Sequence, residues 1–350
     1  MLNQIRYSNR YVIDSYEGEW FAVGRADLPT FNPGPQPSTR NGLIVFCQGN
    51  IVNSDELIEE PALSNADIIA EQYSQTGLDL VNRVKGHFTT AIWDSKREAL
   101  FLVNDRFGKH QLYIWSPAPK TLFFACEMKC IIPIAKDSIR FNPQSVTDFL
   151  QYQYVLGDKT WFEDIELLPQ ASILQLTRFG MRRDRYWIPR APPSVHSRSG
   201  KDYQMKLHDL MVKAVSRATR GHIVGLLLSG GLDSRNIAVH LATSRKTVHS
   251  FTHGNSDTED VRLAQAFSKE KGFQFHFIPI TSRIIPDFAR ISAWILEGNA
   301  PLLWAQNIAV LQEAEGTEID LLVDGASGPL FRLPIPFSLP VNALLSLPFL

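Results

Sequence analysis

In this 350-residue chain an apolar run at 223–228 stops abruptly at Ser229-Gly230-Gly231-Leu232-Asp233-Ser234, and a helical pattern starts near Arg235. A run without polar alternation is a strand covered on both faces. Further apolar runs at 247–252, 273–280 and 319–323 alternate with helical stretches at 235–244 and 260–271. Strand and helix alternation predicts an α/β, doubly wound parallel sheet. Ahead of it Leu207, Leu210, Met211, Ala214, Val215 and Ala218 fall on one face of a predicted helix.

The loop after the first buried strand lies where open α/β sheets hold their ligands. Gly230 and Gly231 let backbone N–H groups approach an anion, Ser229 and Ser234 add hydroxyl donors, and the helix N-terminus behind carries partial positive charge. This is a phosphate cradle, although the same residues would also serve a plain strand-to-helix turn. Neither a Gly-Lys-Ser/Thr ending nor Gly-x-Gly-x-x-Gly is present. Asp233 would repel a bare phosphate, which points to Mg²⁺ screening a pyrophosphate.

The first 180 residues or so read as α+β. Runs at 42–46, 88–93, 99–103, 111–115, 121–125 and 171–176 are rich in β-branched and aromatic residues. The spacing of the four from 88 to 125 predicts an antiparallel meander, with helices at 65–74 and 143–152 packed outside it. Three prolines, three serines and a glycine at 188–200 read as a linker. The expected organisation is a first domain at 1–188, a linker at 189–200, a second domain at 201–331 and an irregular tail at 332–350.

Lys and Arg number 35 against 36 Asp and Glu, so no basic excess favours nucleic acid or an anionic membrane as a partner. Three cysteines, Cys47, Cys126 and Cys130, suit a reducing compartment, and with no signal-like N-terminus the expectation is cytoplasmic. From Leu333 to Leu350 no charge occurs, which meets the length test for a membrane span. Pro334, Pro336, Pro340 and Pro348, with Ser338, Asn342 and Ser346, argue against one. Cys126 and Cys130 have too few companions for structural zinc. His249, His253 and His276 lie on or near predicted strands, where they touch a nucleotide or merely pack. Trp294 and Trp304 read as core.

Ser-Gly-Gly-Leu-Asp-Ser after an apolar strand resembles the pyrophosphatase loop of the asparagine synthetase and β-lactam synthetase family, which adenylates a carboxylate and releases pyrophosphate. His249-Ser250-Phe251-Thr252-His253-Gly254, then Asp260 and Ala264, is similar to that family's second strand and following helix. The resemblance implies that Leu227 and His253 border adenine, that Ser229, Gly230, Gly231, Leu232, Asp233 and Ser234 hold the pyrophosphate of ATP, and that Asp233 binds Mg²⁺. It implies an Ntn-hydrolase-type, glutaminase-like sandwich for the first domain and an ATP-pyrophosphatase sheet for the second. Gly86 to Asp94, Asn104 to Tyr113, Phe124 to Lys129 and Trp161 to Pro169 resemble the signatures of the glutaminase domain.

The pattern departs from the family at several positions. The family's glutaminase uses an N-terminal cysteine whose own amine is the base, whereas position 2 holds Leu2 and the first cysteine, Cys47, sits in an apolar run. Gln48-Gly49-Asn50 stands where the family has Asn-Gly-Glu, and Lys85 stands where it has the aspartate that binds the substrate ammonium. No glutamine hydrolysis is expected from this domain. The second metal loop aligns with 324–331, where Gly328 and Pro329 replace an Asp-Glu pair and Asp324 and Gly325 lie one turn away. The charge-poor tail does not resemble the family's next helices. Glu297-Gly298-Asn299 resembles a position on the acceptor side.

Three readings stand open on the sequence. One is an asparagine synthetase-like ligase taking a small-molecule carboxylate, with aspartate as the default, and an amine or ammonia. Another is a degenerate nucleotide-binding protein without turnover. The last is half of a split synthetase, such as a peptide cyclase, with a separate subunit as partner. A homodimer is compatible with each.

Overall fold

The computed structural model describes residues 1–59, 64–190, 200–244 and 247–325. It forms two compact units, Met1–Tyr203 with Ser282–Ile308, and Gln204–Thr281 with the chain from Ala309 onward. The predicted tail at 332–350, most of the predicted linker and residues Gly328 to Phe331 lie outside the described residues.

The first unit opens with β1 (Val12–Glu17) and β2 (Ala22–Asp27), an antiparallel ribbon. Next come β3 (Ser38–Arg40), β4 (Leu43–Ile51), helix α1 (Asn65–Thr76), β5 (Gly86–Asp94) and β6 (Ala99–Asn104). After them run β7 (Tyr113–Ala118), β8 (Thr121–Ala125), α2 (Pro143–Tyr152), β9 (Ile165–Leu167), β10 (Ser172–Thr177) and β11 (Gly180–Arg185). A six-stranded antiparallel sheet runs β11-β10-β6-β5-β4-β3, and a three-stranded sheet runs β8-β7-β9.

Alternation along the strands gives the six-stranded sheet two apolar faces. Val45, Cys47, Phe88, Ile92, Phe101 and Val103 pack against α1, which presents Ala66, Ile68, Ile69, Ala70 and Tyr73. Phe46, Ala91, Leu100, Leu102 and Leu174 point to the other side, where Val23 of β2 and Ile114 of β7 join them. A capping box starts α1: Asp67 N–H donates to Ser64 Oγ at 3.3 Å, and Ser64 N–H donates to Asp67 Oδ2 at 3.0 Å.

The expected meander is corrected: β5 pairs with β6 and β7 with β8, but the two hairpins belong to different sheets. Asp105 causes the break. Its carboxylate accepts N–H bonds from Phe107 at 2.9 Å and Lys109 at 3.1 Å, closing a turn right after β6.

The second unit contains most of α3 (Gly200–Ala218), then β12 (Val224–Leu227), α4 (Leu232–Ser244), β13 (Val248–Gly254), α5 (Glu259–Lys271) and β14 (Gln274–Pro279). Helix α6 (Ile284–Leu296) belongs to the first unit, whereas the sequence reading assigned all of 201–331 to the second. Helix α7 (Gln306–Glu315) leads to β15 (Leu321–Val323). The sheet runs β14-β13-β12-β15 and every pairing is parallel. Leu226, Leu228, Ala238, Leu241, Val248 and Ala264 form its core with Val215 of α3. Val215 is the buried residue of α3, and Leu207 and Leu210 on its predicted apolar face stand exposed.

Candidate functional site

Strand β12 is central in the parallel sheet, and its carboxyl end delivers the chain into Leu228 to Gly231 before α4 begins. The strand is clamped to its neighbour past its last pair: Leu228 N–H donates to Phe251 O at 2.9 Å, and Thr252 Oγ1 donates to Leu228 O at 2.7 Å. Rigid support therefore reaches the residue before the loop.

The loop folds around its two serines. Ser229 N–H donates to Ser234 Oγ at 3.1 Å, the two hydroxyls lie 2.9 Å apart, and Gly231 N–H donates to Ser229 Oγ at 3.1 Å. Ser234 is buried at the first turn of α4, so its hydroxyl ties the helix N-terminus back to the end of β12. A cluster of N–H and O–H groups results, backed by the positive end of a 13-residue helix.

Gly230 N–H donates to Asp260 Oδ1 at 2.8 Å. Asp260 lies in the first turn of α5, which Thr258 caps. The sequence reading noted Asp260 for its place in a motif and missed this contact, because no local pattern joins residues 30 apart.

Asp324 and Gly325 follow β15, which pairs with β12, and a Cβ built on Gly325 would stand 2.8 Å from Ser234 N and 3.1 Å from Asp233 C. The backbone after β15 thus lies against the start of α4, bringing the segment that carries Asp324 beside the one that carries Asp233. Among the described residues no cluster of three or more His, Cys, Asp and Glu forms an all-protein metal cage.

Leu227 is the last residue of β12 and His253 the next to last of β13, its neighbour in the sheet. Burial lowers the pKa of His253, and its buried Nδ1 has no hydrogen-bond partner among the described residues. His249 and His276 lie elsewhere on the sheet, their rings stacked at 5.3 Å with Nδ1 and Nε2 3.1 Å apart.

In the first unit Cys47 is 1% exposed, and burial pushes its thiol well above the usual range. Its backbone is held on both sides, by Gln36 Oε1 accepting from its N–H at 2.8 Å and by Asn32 and Gln36 amides donating to its carbonyl at 2.8 Å. Burial likewise pushes Cys126 and Cys130 up to about 12. Gln48, Gly49 and Asn50 pair with Thr89, Phe88 and His87 across β4 and β5. The Lys85 ammonium is matched by Glu56 at 2.9 Å.

Glu297 ends α6 at φ 52°, and its carboxylate accepts N–H bonds from Met128 at 3.0 Å and Lys129 at 2.6 Å. The Lys129 ammonium pairs with Glu127 and donates to Trp294 O at 3.0 Å. Burial raises the pKa of Glu297, and the two N–H donors oppose that rise. The carboxylate that the sequence reading placed on an acceptor side is engaged here as an anchor for α6.

Two domain descriptions match the chain. Residues 22–187 match a glutamine amidotransferase domain, and residues 206–318 match asparagine synthase. The class is thus an amidotransferase-type domain followed by a synthase-type domain. The chain is 28% identical over 289 residues to glutamine-hydrolysing asparagine synthetase 2 of Bacillus subtilis, covering 75% of this chain and 38% of that one. It is 29% identical over 231 residues to glutamine-hydrolysing asparagine synthetase 1 of Saccharomyces cerevisiae, covering 62% and 35%. To amidase chyE of Penicillium rubens it is 23% identical over 180 residues, covering 50% and 26%. These matches to both halves support an asparagine synthetase-like family. It spans well under half the length of these curated relatives. Among the described residues no helix is long and apolar enough to cross a membrane.

Proposed function

We propose that the chain is an ATP-dependent carbon–nitrogen ligase that activates a small carboxylate by adenylation, with release of pyrophosphate and then AMP. The observation that carries this reading is the loop at 229–234, whose N–H and hydroxyl groups gather at the carboxyl end of the central parallel strand ahead of a helix N-terminus. In this reading Ser229, Gly230, Gly231, Leu232 and Ser234 orient the β- and γ-phosphates as the leaving group, and Leu227 and His253 flank the base. Asp233, with Asp324, would hold Mg²⁺, which neutralises charge on the departing pyrophosphate. A substrate carboxylate oxygen attacks the α-phosphorus, the bond to the bridging oxygen breaks, and an amine then displaces AMP. The fold it implies is an Ntn-hydrolase-type sandwich joined to a doubly wound pyrophosphatase sheet.

The nitrogen comes from free ammonia or the substrate's own amine. Cys47 is buried with a raised pKa, and Lys85 is tied to Glu56, so neither supports glutamine hydrolysis. AMP formation from Mg·ATP and aspartate should occur with ammonia and not with glutamine as nitrogen source. Equal rates with glutamine would refute the nitrogen assignment.

One observation favours a second reading, nucleotide binding without turnover: Asp260 already supplies an anion to Gly230 N–H. ATP binding that survives with no AMP formed under either nitrogen source is the outcome that reading requires.

A further inference from the structure

The loop after β12 is bonded to its own chain at every backbone donor from 229 to 231. Ser229 N–H donates to Ser234 Oγ at 3.1 Å, Gly230 N–H to Asp260 Oδ1 at 2.8 Å, and Gly231 N–H to Ser229 Oγ at 3.1 Å. A phosphate oxygen that uses these donors must take them from the protein's own groups. Two of the three acceptors are hydroxyls, which carry a proton of their own and turn to donate it to an arriving anion. The third is a carboxylate, which when ionised only accepts, and which repels a phosphate at close range.

Asp260 and a ligand cannot share Gly230. At 2.8 Å nothing fits between the N–H and the carboxylate. The first turn of α5 crowds the same glycine: a Cβ on it would stand 2.9 Å from Asp260 Oδ1 and 3.0 Å from Asp260 Cα. Occupancy of this donor is therefore a choice between the side chain and a phosphate oxygen.

The carboxylate is also free to let go at low cost. Asp260 is the second residue of α5, a 13-residue helix capped by Thr258, so the positive helix end favours its charge whichever way the side chain turns. His253, near the end of β13, stands close enough for the Asp260 charge to oppose the lowering of its pKa by burial. Leaving Gly230 costs Asp260 one charge-assisted hydrogen bond and keeps its electrostatic surroundings.

We propose that Asp260 is a built-in competitor for phosphate: it holds the Gly230 N–H until the pyrophosphate end of ATP arrives, and takes it back as pyrophosphate leaves. The inference rests on the ATP reading above and adds to it a means of product release. Pyrophosphate is the ligand that a cluster of N–H and O–H donors would otherwise retain most tightly, and the returning carboxylate replaces it at one of those donors.

Calorimetric titration of the full chain with Mg·ATP, Mg·pyrophosphate and adenosine tests this in wild type, Asp260→Asn and Asp260→Glu. Asp260 is exposed, so neither substitution disturbs a core, and asparagine keeps an oxygen for the Gly230 N–H while losing the charge. Asp260→Asn should bind Mg·ATP and Mg·pyrophosphate ~10-fold tighter than wild type and adenosine equally well. Asp260→Glu, which keeps the charge, should bind neither phosphate ligand tighter than wild type. Binding by wild type that is unchanged or weakened in Asp260→Asn would overturn the competitor role and leave the ATP reading standing, with Asp260 only positioning the loop. Equal tightening for adenosine would overturn it as well. Mg·ATP bound by none of the three chains would overturn the ATP reading, and this inference with it.

Discussion

At Gly230 the loop has room for a hydrogen and little else. A Cβ there would stand 3.0 Å from Asp260 Cα and 3.2 Å from Asp260 O, both backbone atoms at the start of α5. Gly230→Ala should therefore push the loop away from α5 and weaken ATP binding by about tenfold, the equivalent of ~1.4 kcal/mol, in a direct titration. Gly49 is tighter still: its φ is +103°, and a Cβ there would stand only 2.0 Å from His87 O across the β4–β5 ladder. Gly49→Ala should cost about 3 kcal/mol in urea unfolding, from overpacking and a strained backbone together. Asp27 supplies a pH signature: burial raises its pKa from 3.8 to about 6, against the pull of Arg25. Protonated in both states at low pH, it costs nothing there. As pH rises from 3.8 to about 6 the unfolded chain ionises first, so this group's contribution to stability falls across that window and is constant above it. Asp27→Asn should leave stability unchanged well below pH 3.8, raise it at pH 7 and flatten the curve between, as read from urea midpoints. The strand-to-helix turn at 229–234 was legible from residue types alone, since serine and glycine after an apolar run break the strand and cap the helix that follows. The contact of Asp260 with Gly230 was not, because proximity between α5 and the loop is decided by sheet pairing and not by neighbours in sequence.

Among the elements, α6 shows how a few polar bonds fix where a helix belongs. Its carboxyl end is tied by Glu297 to the N–H groups of Met128 and Lys129, and Asn299 Nδ2 donates to Tyr113 Oη at 3.3 Å. Glu297→Ala removes two charge-assisted bonds and should cost about 3 kcal/mol. Amide exchange should then accelerate in α6 and stay unchanged in α1, which is held by its own capping box and core contacts. The strands from β4 to β8 were visible in the sequence because β-branched and aromatic residues cluster there. Strands β1, β2, β3 and β11 were not: β11 reads Gly-Met-Arg-Arg-Asp-Arg and is almost wholly exposed, so its pairing with β10 leaves little hydrophobic trace. Hairpin spacing also misled, since it identified the β5–β6 and β7–β8 pairs and could not show that the turn at Asp105 sends them to different sheets.

For the molecule as a whole, the boundary expected from composition holds for neither unit in full, because residues 282–308 return to the first unit through contacts that no linker signal announces. The parallel order β14-β13-β12-β15 puts the loop at the carboxyl end of a central strand, and the two halves of the chain match a glutamine amidotransferase and an asparagine synthase domain. Pyrophosphate release from Mg·ATP by the full chain, with aspartate and ammonia present, tests the account most directly when wild type and Asp233→Ala are compared. The account predicts release by wild type and a loss of about 100-fold or more in the variant, as for removal of a group that stabilises charge on the reacting phosphates. Release that is equal in the two, or absent from both, would contradict it.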